Sequence, residues 1–217
     1  MRNSILDQLI LYRSLKLIEE IYDESMYGDP DVYRIKDIVH SVDINHWKSK
    51  QWLVDVFSQV YGFESGKVFV AGGWYGLLSF LLRKRYPDKS FNITSADMDP
   101  KCEQFGYKLF PDQDIQFKTM DVVKTDQTFD DCTAIICTSC EHIDKDDLAF
   151  FISGKPENAW LILQTNNYKD LASHVNCSES LEDFVEFVSK VMPSDTYWAY
   201  KGALNLGDFT RYMVIVR

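Results

Sequence analysis

The sequence contains no long hydrophobic segment. No stretch approaches the roughly 20 consecutive apolar residues that a membrane-spanning helix needs. The N-terminus also interrupts its apolar residues with Asp, Arg, Lys and Glu, unlike a signal peptide. We therefore expect a cytoplasmic protein with no membrane partner.

Positive charge is also scarce. Lys and Arg number 23 against 33 Asp and Glu, which gives a net charge of −10. A protein that binds nucleic acid through its phosphates needs clustered cations, so this composition disfavours nucleic acid as a partner. A small molecule or a protein is the expected substrate, and the sequence predicts no oligomeric state.

The chain lacks the cysteine pattern of a disulfide framework, because its five cysteines are odd in number and no secretory signal precedes them. We expect reduced thiols. The spacings Cys137-x-x-Cys140-x-His142 and His174-x-x-Cys177 are compatible with a tetrahedral zinc site. Cys137 lies in an apolar run, however, where a buried structural thiol is expected. We therefore predict no metal, with zinc as an open alternative.

Residues 1–64 are predicted to form a helical cap. Apolar residues recur three or four positions apart over residues 3–27 and 47–61, which is the spacing of one buried helical face. A shorter helix is expected within residues 31–42, after the break that residues 28–30 (Gly-Asp-Pro) predict. The rest of the chain follows a different pattern.

Over residues 65–217, short apolar runs alternate with helical segments, which is typical of a parallel sheet covered on both faces. The predicted fold is an α/β sandwich of three layers. Its seven-stranded sheet is mostly parallel and ends in an antiparallel hairpin, because only a short turn-rich link separates the last two strands. Predicted strands cover residues 67–71, 92–97, 115–121, 133–139, 160–164, 196–204 and 211–216. Predicted helices cover residues 75–86, 100–109, 145–153 and 181–191.

A strand that runs into a glycine-rich turn and then a helix occupies residues 68–78 (VFVAGGWYGLL). In α/β folds this arrangement brings backbone N–H groups and a helix N-terminus against a ligand. Asp97 and Asp121 end the next two predicted strands, and residues 138–142 (TSCEH) end the fourth. Because ligands bind at the carboxyl ends of parallel strands, this series predicts one ligand site.

Residues 66–217 resemble the class I S-adenosylmethionine-dependent methyltransferase superfamily. The resemblance is carried by four motifs, at residues 68–76, 95–100, 120–121 and 136–142. It implies a Rossmann-like domain over residues 65–217 that binds S-adenosylmethionine as its cofactor and transfers the methyl group.

The same resemblance implies roles for individual residues. The three glycines of the loop would flank the methionyl part of the cofactor, Asp97 would bind the ribose hydroxyls, and Asp121 would meet the adenine amine. The full set of expected cofactor-binding residues is Ala71, Gly72, Gly73, Trp74, Gly76, Asp97, Met98, Asp121, Val122 and Ser139.

Trp74 and Tyr75 depart from the superfamily pattern, in which a small polar pair is usual at these positions. Such bulk would hinder a pyrophosphate from lying against the turn, which counts against NAD or FAD. The cationic sulfonium of S-adenosylmethionine could instead lie near an aromatic face, a contact worth about 0.5–2 kcal/mol. Packing of both aromatics against the N-terminal helices is an equal alternative.

Candidate catalytic residues follow the fourth and fifth strands. Methyl transfer requires an aligned nucleophile and, where necessary, removal of its proton. Glu141 and His142 are the candidate bases, and His142 is favoured because an unperturbed imidazole titrates near neutrality. Tyr168 ends a cluster of amide and phenol groups at residues 164–168 that suits hydrogen bonding to a substrate, although Asn-Asn also favours a turn.

Three other functions are compatible with the sequence. The chain could transfer the aminocarboxypropyl group of S-adenosylmethionine, as nicotianamine-synthase-like proteins do. It could serve as a non-catalytic Rossmann-like binding module. Cys140 as the nucleophile of a pyrimidine C5 methyltransferase is the weakest alternative, because the chain is acidic and has no recognisable target-recognition domain.

Overall fold

The computed structural model describes residues 4–25, 34–61, 65–87, 90–111, 113–124 and 129–217. Three helices precede the sheet, as predicted: α1 at Ser4–Ser25, α2 at Arg34–Ser41 and α3 at Ile44–Val60. The predicted break at residues 28–30 lies outside the described residues. Asp43 is the N-cap of α3, since its carboxylate accepts the N–H groups of Asn45 and His46. Among the described helices, none has the length and apolar character of a membrane span.

The seven predicted strands form a single sheet. They are β1 (Ser65–Ala71), β2 (Ser90–Asp97), β3 (Ile115–Thr119), β4 (Ala134–Cys137), β5 (Trp160–Asn166), β6 (Trp198–Asn205) and β7 (Thr210–Val216). The strand order is β3-β2-β1-β4-β5-β7-β6. Strands β1 to β5 pair in parallel, whereas β7 is antiparallel to both β5 and β6. The predicted mostly parallel sheet with a C-terminal antiparallel hairpin is confirmed.

Helices cover both faces of the sheet, which gives the predicted three-layer sandwich. The helices after the first strand are α4 (Leu77–Arg85), α5 (Pro100–Leu109), α6 (Lys145–Ser153) and α7 (Leu181–Val191). One buried cluster lies on the face that carries α4 and α5, and a second lies on the face that carries α6 and α7. Leu53 and Phe57 of α3 belong to the same cluster as Val68 and Val70 of β1. The N-terminal helices therefore complete the core on that face.

Several predicted boundaries are wrong by one or two residues, and in three cases the predicted element extends too far at the carboxyl edge of the sheet. Strand β3 ends at Thr119 rather than at residue 121, and β4 ends at Cys137 rather than at residue 139. Helix α4 begins at Leu77 rather than at residue 75, because three residues of the preceding turn have left-handed backbone conformations that no α-helix accommodates. The two strands end earlier and the helix begins later than predicted, and the residues left over form the loops at the carboxyl edge of the sheet.

Candidate functional site

The turn between β1 and α4 is built by left-handed residues. Gly72, Trp74 and Gly76 have φ values of +59°, +49° and +91°. A Cβ on Gly76 would lie 2.5 Å from the ring of Phe117, so this position needs glycine both for its φ and for space. The N–H of Gly76 donates to the carbonyl of Gly73 at 3.0 Å, which closes the turn. The loop is therefore a fixed structure at the end of β1.

Asp97, the last residue of β2, faces this loop. Its Oδ2 accepts the N–H of Trp74 at 2.9 Å, and its Oδ1 accepts the N–H of Asp99 at 3.1 Å. Burial raises the pKa of the Asp97 carboxyl, and these two backbone donors oppose that shift. A second link joins the N–H of Gly73 to the carbonyl of Ala96 at 2.9 Å. The glycine loop and the end of β2 are thus held together as one unit.

Two further strand ends lie beside this unit. Ser139, after β4, donates its hydroxyl to the carbonyl of Gly72 at 3.3 Å. Met120, after β3, donates its N–H to the carbonyl of Asp97 at 2.7 Å. Residues 71–76 together with Asp97 and Ser139 are hereafter called the glycine-loop half of the site. The structure brings together these predicted cofactor residues from three different strands.

The remaining predicted cofactor residues lie at the margin of this half. Met98 is 68% exposed, directly after Asp97. Asp121 lies in a turn beyond β3, where its Oδ1 accepts the N–H of Val123 at 3.2 Å and its Oδ2 pairs with Lys124 at 3.2 Å. Val122 packs against the core on the α6 and α7 side of the sheet. These three residues lie in the segments that directly follow β2 and β3.

The two aromatic residues of the loop contact the N-terminal helices and each other. Tyr75 is 1% exposed and belongs to the core that also contains α1 and α3. The ring of Trp74 stacks on Tyr75 with a centroid separation of 5.5 Å and meets His46 of α3 edge-on at 5.3 Å. Tyr75 is thus part of the core, whereas Trp74 stays partly exposed in the loop.

A second group of functional side chains lies at the ends of β4, β5 and β7. Glu141 is only 2% exposed, and its Oε1 accepts the Nδ2 amide of Asn166 at 2.7 Å. The same oxygen pairs with Arg211 at 3.2 Å. Arg211 also donates from Nη1 to the carbonyl of Thr138 at 2.9 Å. The name charged half is used hereafter for Lys50, Thr138, Glu141, Asn166 and Arg211.

Lys50 enters the charged half from helix α3. Its Nζ donates to the hydroxyl of Thr138 at 3.1 Å, so that Thr138 holds two cations, one through its side chain and one through its carbonyl. Burial lowers the pKa of Lys50 to about 7, and the guanidinium of Arg211 adds to that shift. Neither Lys50 nor Arg211 is among the residues predicted from the sequence. One feature of the sequence could have drawn attention to Arg211, because this cation directly precedes the apolar run of residues 212–216.

His142 and Tyr168 lie beside the charged half and contact the loop after β5. Burial lowers the pKa of His142, and the nearby Glu141 carboxylate opposes that shift. The ring of His142 meets that of His174 at a centroid distance of 4.6 Å, and Tyr168 meets His174 at 5.9 Å. The N–H of Tyr168 donates to Oδ1 of Asn166 at 2.8 Å. All three predicted catalytic residues therefore lie in one region.

The cysteines do not assemble the zinc site that their spacing allowed. Cys137 and Cys140 are fully buried in the core, and the thiol of Cys140 donates to the carbonyl of Cys137 at 3.7 Å. Cys177 contacts a different group, with its Sγ 3.2 Å from the carbonyl of Tyr168 and 3.8 Å from Nδ1 of His174. The buried structural thiol predicted for Cys137 is confirmed.

No known sequence family matches this chain, and no curated protein is similar to it in sequence. Solved structures are similar to it in fold. Magnesium protoporphyrin IX methyltransferase from Synechocystis PCC 6803, with bound SAH, is 15% identical with a TM-score of 0.62 and covers 89% of this chain and 91% of its own. The plantazolicin methyltransferase BpumL, also with SAH, is 10% identical with a TM-score of 0.62 and covers 96% and 98%.

The chain thus has the Rossmann-like fold of class I S-adenosylmethionine-dependent methyltransferases, over nearly its whole length. The same fold is found in the [4+2]-cyclase SpnF, which is 8% identical with a TM-score of 0.60 and covers 77% of this chain and 80% of its own. The expected fold is therefore confirmed. The reaction has to be argued from the site, because one fold carries more than one chemistry.

Proposed function

We propose that the protein binds S-adenosylmethionine in the glycine-loop half and transfers its methyl group to a small-molecule or protein acceptor. The observation that carries this proposal is the position of Asp97 at the end of β2. Its carboxylate lies against the turn that contains Gly72, Gly73 and Gly76. A carboxylate next to a glycine turn at the carboxyl edge of a parallel sheet is suited to a nucleoside whose ribose hydroxyls need acceptors.

The other cofactor contacts follow from the same arrangement. Ala71, Gly72, Gly73, Trp74 and Gly76 would line the methionyl part, and Ser139 would close the loop from the side of β4. Met98 and the turn of Asp121 and Val122 would flank the adenine, which needs an exposed apolar surface and one acceptor. The 68% exposure of Met98 supports this role.

The acceptor would lie at the ends of β4 and β5, against the charged half. Of the two candidate bases, the geometry favours His142, because the Glu141 carboxylate is buried and already accepts from Asn166 and Arg211. We propose that His142 accepts the acceptor's proton, that Glu141 positions the surrounding groups, and that Tyr168 hydrogen-bonds the acceptor.

The N-terminal residues 1–64 would cover this site as a cap. Three contacts support that role, since Lys50 hydrogen-bonds Thr138, His46 meets Trp74, and Arg34 forms an ion pair with Asp99. A cytoplasmic location and an acceptor other than nucleic acid also stay proposals, and the net charge of −10 supports the second of them.

Calorimetric titration with S-adenosylmethionine and S-adenosylhomocysteine tests the cofactor assignment. We expect wild type to bind both, and Asp97→Ala to bind about 10 to 100 times more weakly, the effect of removing hydrogen bonds to a charged group. Asp131→Ala is the matched control, because Asp131 is an exposed acid that pairs only with Lys67 among the described residues. Absent binding by wild type, or equal binding by Asp97→Ala, would contradict the proposal.

The identity of the transferred group needs a second measurement. Incubation with a panel of candidate acceptors followed by mass spectrometry distinguishes the products. Methyl transfer yields S-adenosylhomocysteine, whereas aminocarboxypropyl transfer yields methylthioadenosine. Accumulation of methylthioadenosine alone would replace the proposed reaction while leaving the cofactor site intact.

A further inference from the structure

Three side chains of metal-ligand type meet at the carboxyl edge of the sheet. Glu141, His142 and His174 each offer one ligand atom, and these atoms lie within 4.8 Å of one another. Glu141 and His142 belong to a 3-10 turn after β4, while His174 belongs to the loop after β5. Main-chain bonds join the two segments, since the N–H groups of Val175 and Asn176 donate to the carbonyl of Glu141 at 2.9 and 3.1 Å. The cluster therefore has a fixed backbone.

Both imidazole rings are oriented by main-chain acceptors. Nδ1 of His142 lies 3.1 Å from the carbonyl of Ser173, and Nδ1 of His174 hydrogen-bonds the carbonyl of Tyr168. A carbonyl oxygen can only accept, so in each bond the Nδ1 carries the proton. In the neutral form of each ring, Nε2 therefore keeps its lone pair. A ring N–H bound to a carbonyl is the outer-sphere arrangement that orients metal-binding histidines.

Glu141 supplies the independent observation that points to a ligand. Its Oε1 is held by Asn166 and Arg211, but its Oε2 is buried and has no hydrogen-bond partner among the described residues. A buried carboxylate oxygen without a partner is costly, and native structures leave few of them without a bound group to explain it. The carboxylate is thus oriented through Oε1, and Oε2 is left free to bind a ligand.

We propose that Glu141, His142 and His174 form a mononuclear site for a first-row transition-metal dication such as Zn²⁺ or Fe²⁺. Two imidazoles with one carboxylate favour these ions over Mg²⁺ and Ca²⁺, which prefer oxygen ligands alone. Three protein ligands also leave at least one coordination position open, as in catalytic rather than structural zinc sites. The ligand set differs from the cysteine pattern that the sequence suggested, because Cys137 and Cys140 are buried in the core.

Arg211 sets the expected strength of this site. Its guanidinium lies 3.2 Å from Oε1 of Glu141 and offsets part of the negative charge that a dication needs. We therefore expect weaker binding than in a structural zinc site, with exchange of the metal in solution. The proposal concerns metal binding alone and does not rest on methyl transfer. A bound metal would occupy Nε2 of His142, so the base role proposed above for His142 applies to the metal-free protein.

Titration of the full-length protein with Co²⁺ tests the site, because the visible absorption of Co²⁺ reports its ligands. We expect one equivalent to bind with a spectrum of nitrogen and oxygen ligands, and Zn²⁺ to displace it. His142→Ala and His174→Ala should each weaken binding by more than about 100-fold, beyond the range for losing an outer-sphere partner. His40→Ala is the matched control, since His40 is exposed on α2, away from the cluster.

Several outcomes would overturn the proposal. One is the absence of stoichiometric Co²⁺ binding by wild type, with its fold verified by circular dichroism. Another is binding that both His142→Ala and His174→Ala retain. A third is an intense thiolate-to-cobalt band in the near ultraviolet that Cys177→Ser abolishes, because it would replace the proposed carboxylate by sulfur. Calorimetric titration of the same variants with S-adenosylhomocysteine would show separately whether the glycine-loop half is intact.

Discussion

The glycine-loop half of the site is made mainly of backbone groups, whereas the charged half is made of side chains from distant parts of the chain. Asp97 contacts the N–H of Trp74, 23 positions away, through one βαβ unit. Thr138 contacts Lys50 and Arg211 across 88 and 73 positions. The first half depends on which conformations a glycine turn permits. The second depends on whether buried charges balance.

This difference predicts how each half fails. A substitution in the glycine-loop half acts through backbone strain and local overlap, so its cost should depend on the space around one Cβ. A substitution in the charged half leaves a charge without its partner, so its cost should depend on burial of that charge. Four substitutions test this contrast, and they are arranged from the largest expected effect to the smallest.

The largest effect is expected from Arg211→Met. This substitution leaves the Glu141 carboxylate buried without the cation of β7 that pairs with it. Both side chains are at most 6% exposed, so water cannot replace the lost partner. We expect the free energy of unfolding to fall by about 3–5 kcal/mol, as for other broken buried ion pairs. Urea unfolding measures it. Glu186→Gln, in an exposed pair with Lys190 on α7, should leave the midpoint unchanged. Equal effects of the two variants would refute the special status of the charged half.

Gly76→Ala should have the next largest effect, in the glycine-loop half. The substitution forces an L side chain into φ +91° and places its Cβ 2.5 Å from the ring of Phe117. The same edge of that ring also lies against Gly106, where a Cβ would again be 2.5 Å distant, and Phe117 is only 3% exposed, so the ring has little room to shift. We expect a loss of about 3 kcal/mol from strain and overlap together.

Gly207→Ala is the matched comparison for Gly76→Ala. Gly207 also has a positive φ, +100°, but a Cβ added there would meet no atom within 4 Å. This variant should lose only the backbone contribution, about 1–2 kcal/mol. If thermal or urea unfolding gave the same loss for both glycines, overlap with Phe117 would not constrain the turn, and the contrast between the two halves would weaken.

Lys50→Met tests the charged half, because its effect on the free energy of unfolding should depend on pH. The pKa of Lys50 is about 7 in the folded protein, against an ordinary value of 10.5. Between these two pH values the unfolded chain binds the extra proton, so this group's contribution to wild-type stability rises with pH across that window. Below pH 7 the charged ammonium is buried at its full cost.

The difference between these two pKa values corresponds to about 4 kcal/mol at pH 7. Because Lys50→Met also loses the hydrogen bond to Thr138, we expect the variant to be more stable than wild type by about 2 kcal/mol at pH 7, and the gain should shrink towards pH 10. Urea unfolding at several pH values measures the difference. Lys48→Met is the control, because Lys48 lies on the same helix and is exposed. A gain that did not change with pH would mean that Lys50 keeps its proton in the folded protein.

The same contrast explains what the sequence predicted and what it did not. The seven strands and the glycine turn follow from local hydrophobic pattern and from residue types that permit left-handed backbone. The ends of β1, β2 and β4 could therefore be placed together through Gly72, Asp97 and Ser139. Lys50 and Arg211 could not be found in this way, because periodicity shows that a face is buried but not which residues it meets.

The residues of the proposed metal site show that prediction from the sequence is limited even within a short segment. The sequence showed two cysteines and a histidine at ligand spacing in residues 137–142, with His174 and Cys177 as a second pair. The 3-10 turn of Cys140–His142 buries Cys140 and brings Glu141 and His142 to the loop after β5. Spacing along the chain did not reveal that Glu141 takes the place of the cysteines beside His142, since this depends on the direction of each side chain in a short turn. His174 belongs to a loop whose main chain is hydrogen-bonded to the carbonyl of Glu141.

The smallest expected effect concerns Trp74, the partly exposed aromatic residue of the glycine-loop half. Its ring stacks on Tyr75 and contacts His46, yet it stays partly exposed beside the loop. If the ring contacts the sulfonium, Trp74→Leu should weaken binding of S-adenosylmethionine more than that of S-adenosylhomocysteine, which lacks the charge. The difference should be about 0.5–2 kcal/mol, or roughly 2- to 30-fold.

Calorimetric titration of both ligands into wild type and Trp74→Leu gives this ratio directly. Tyr75→Leu serves as the comparison, because Tyr75 is 1% exposed and its loss should affect both ligands alike through packing. An equal loss of affinity for the two ligands in Trp74→Leu would assign Trp74 to packing as well. The unusual aromatic pair would then be a feature of how the N-terminal helices attach to the sheet, and the glycine-loop half would bind its ligand through backbone and carboxylate groups alone.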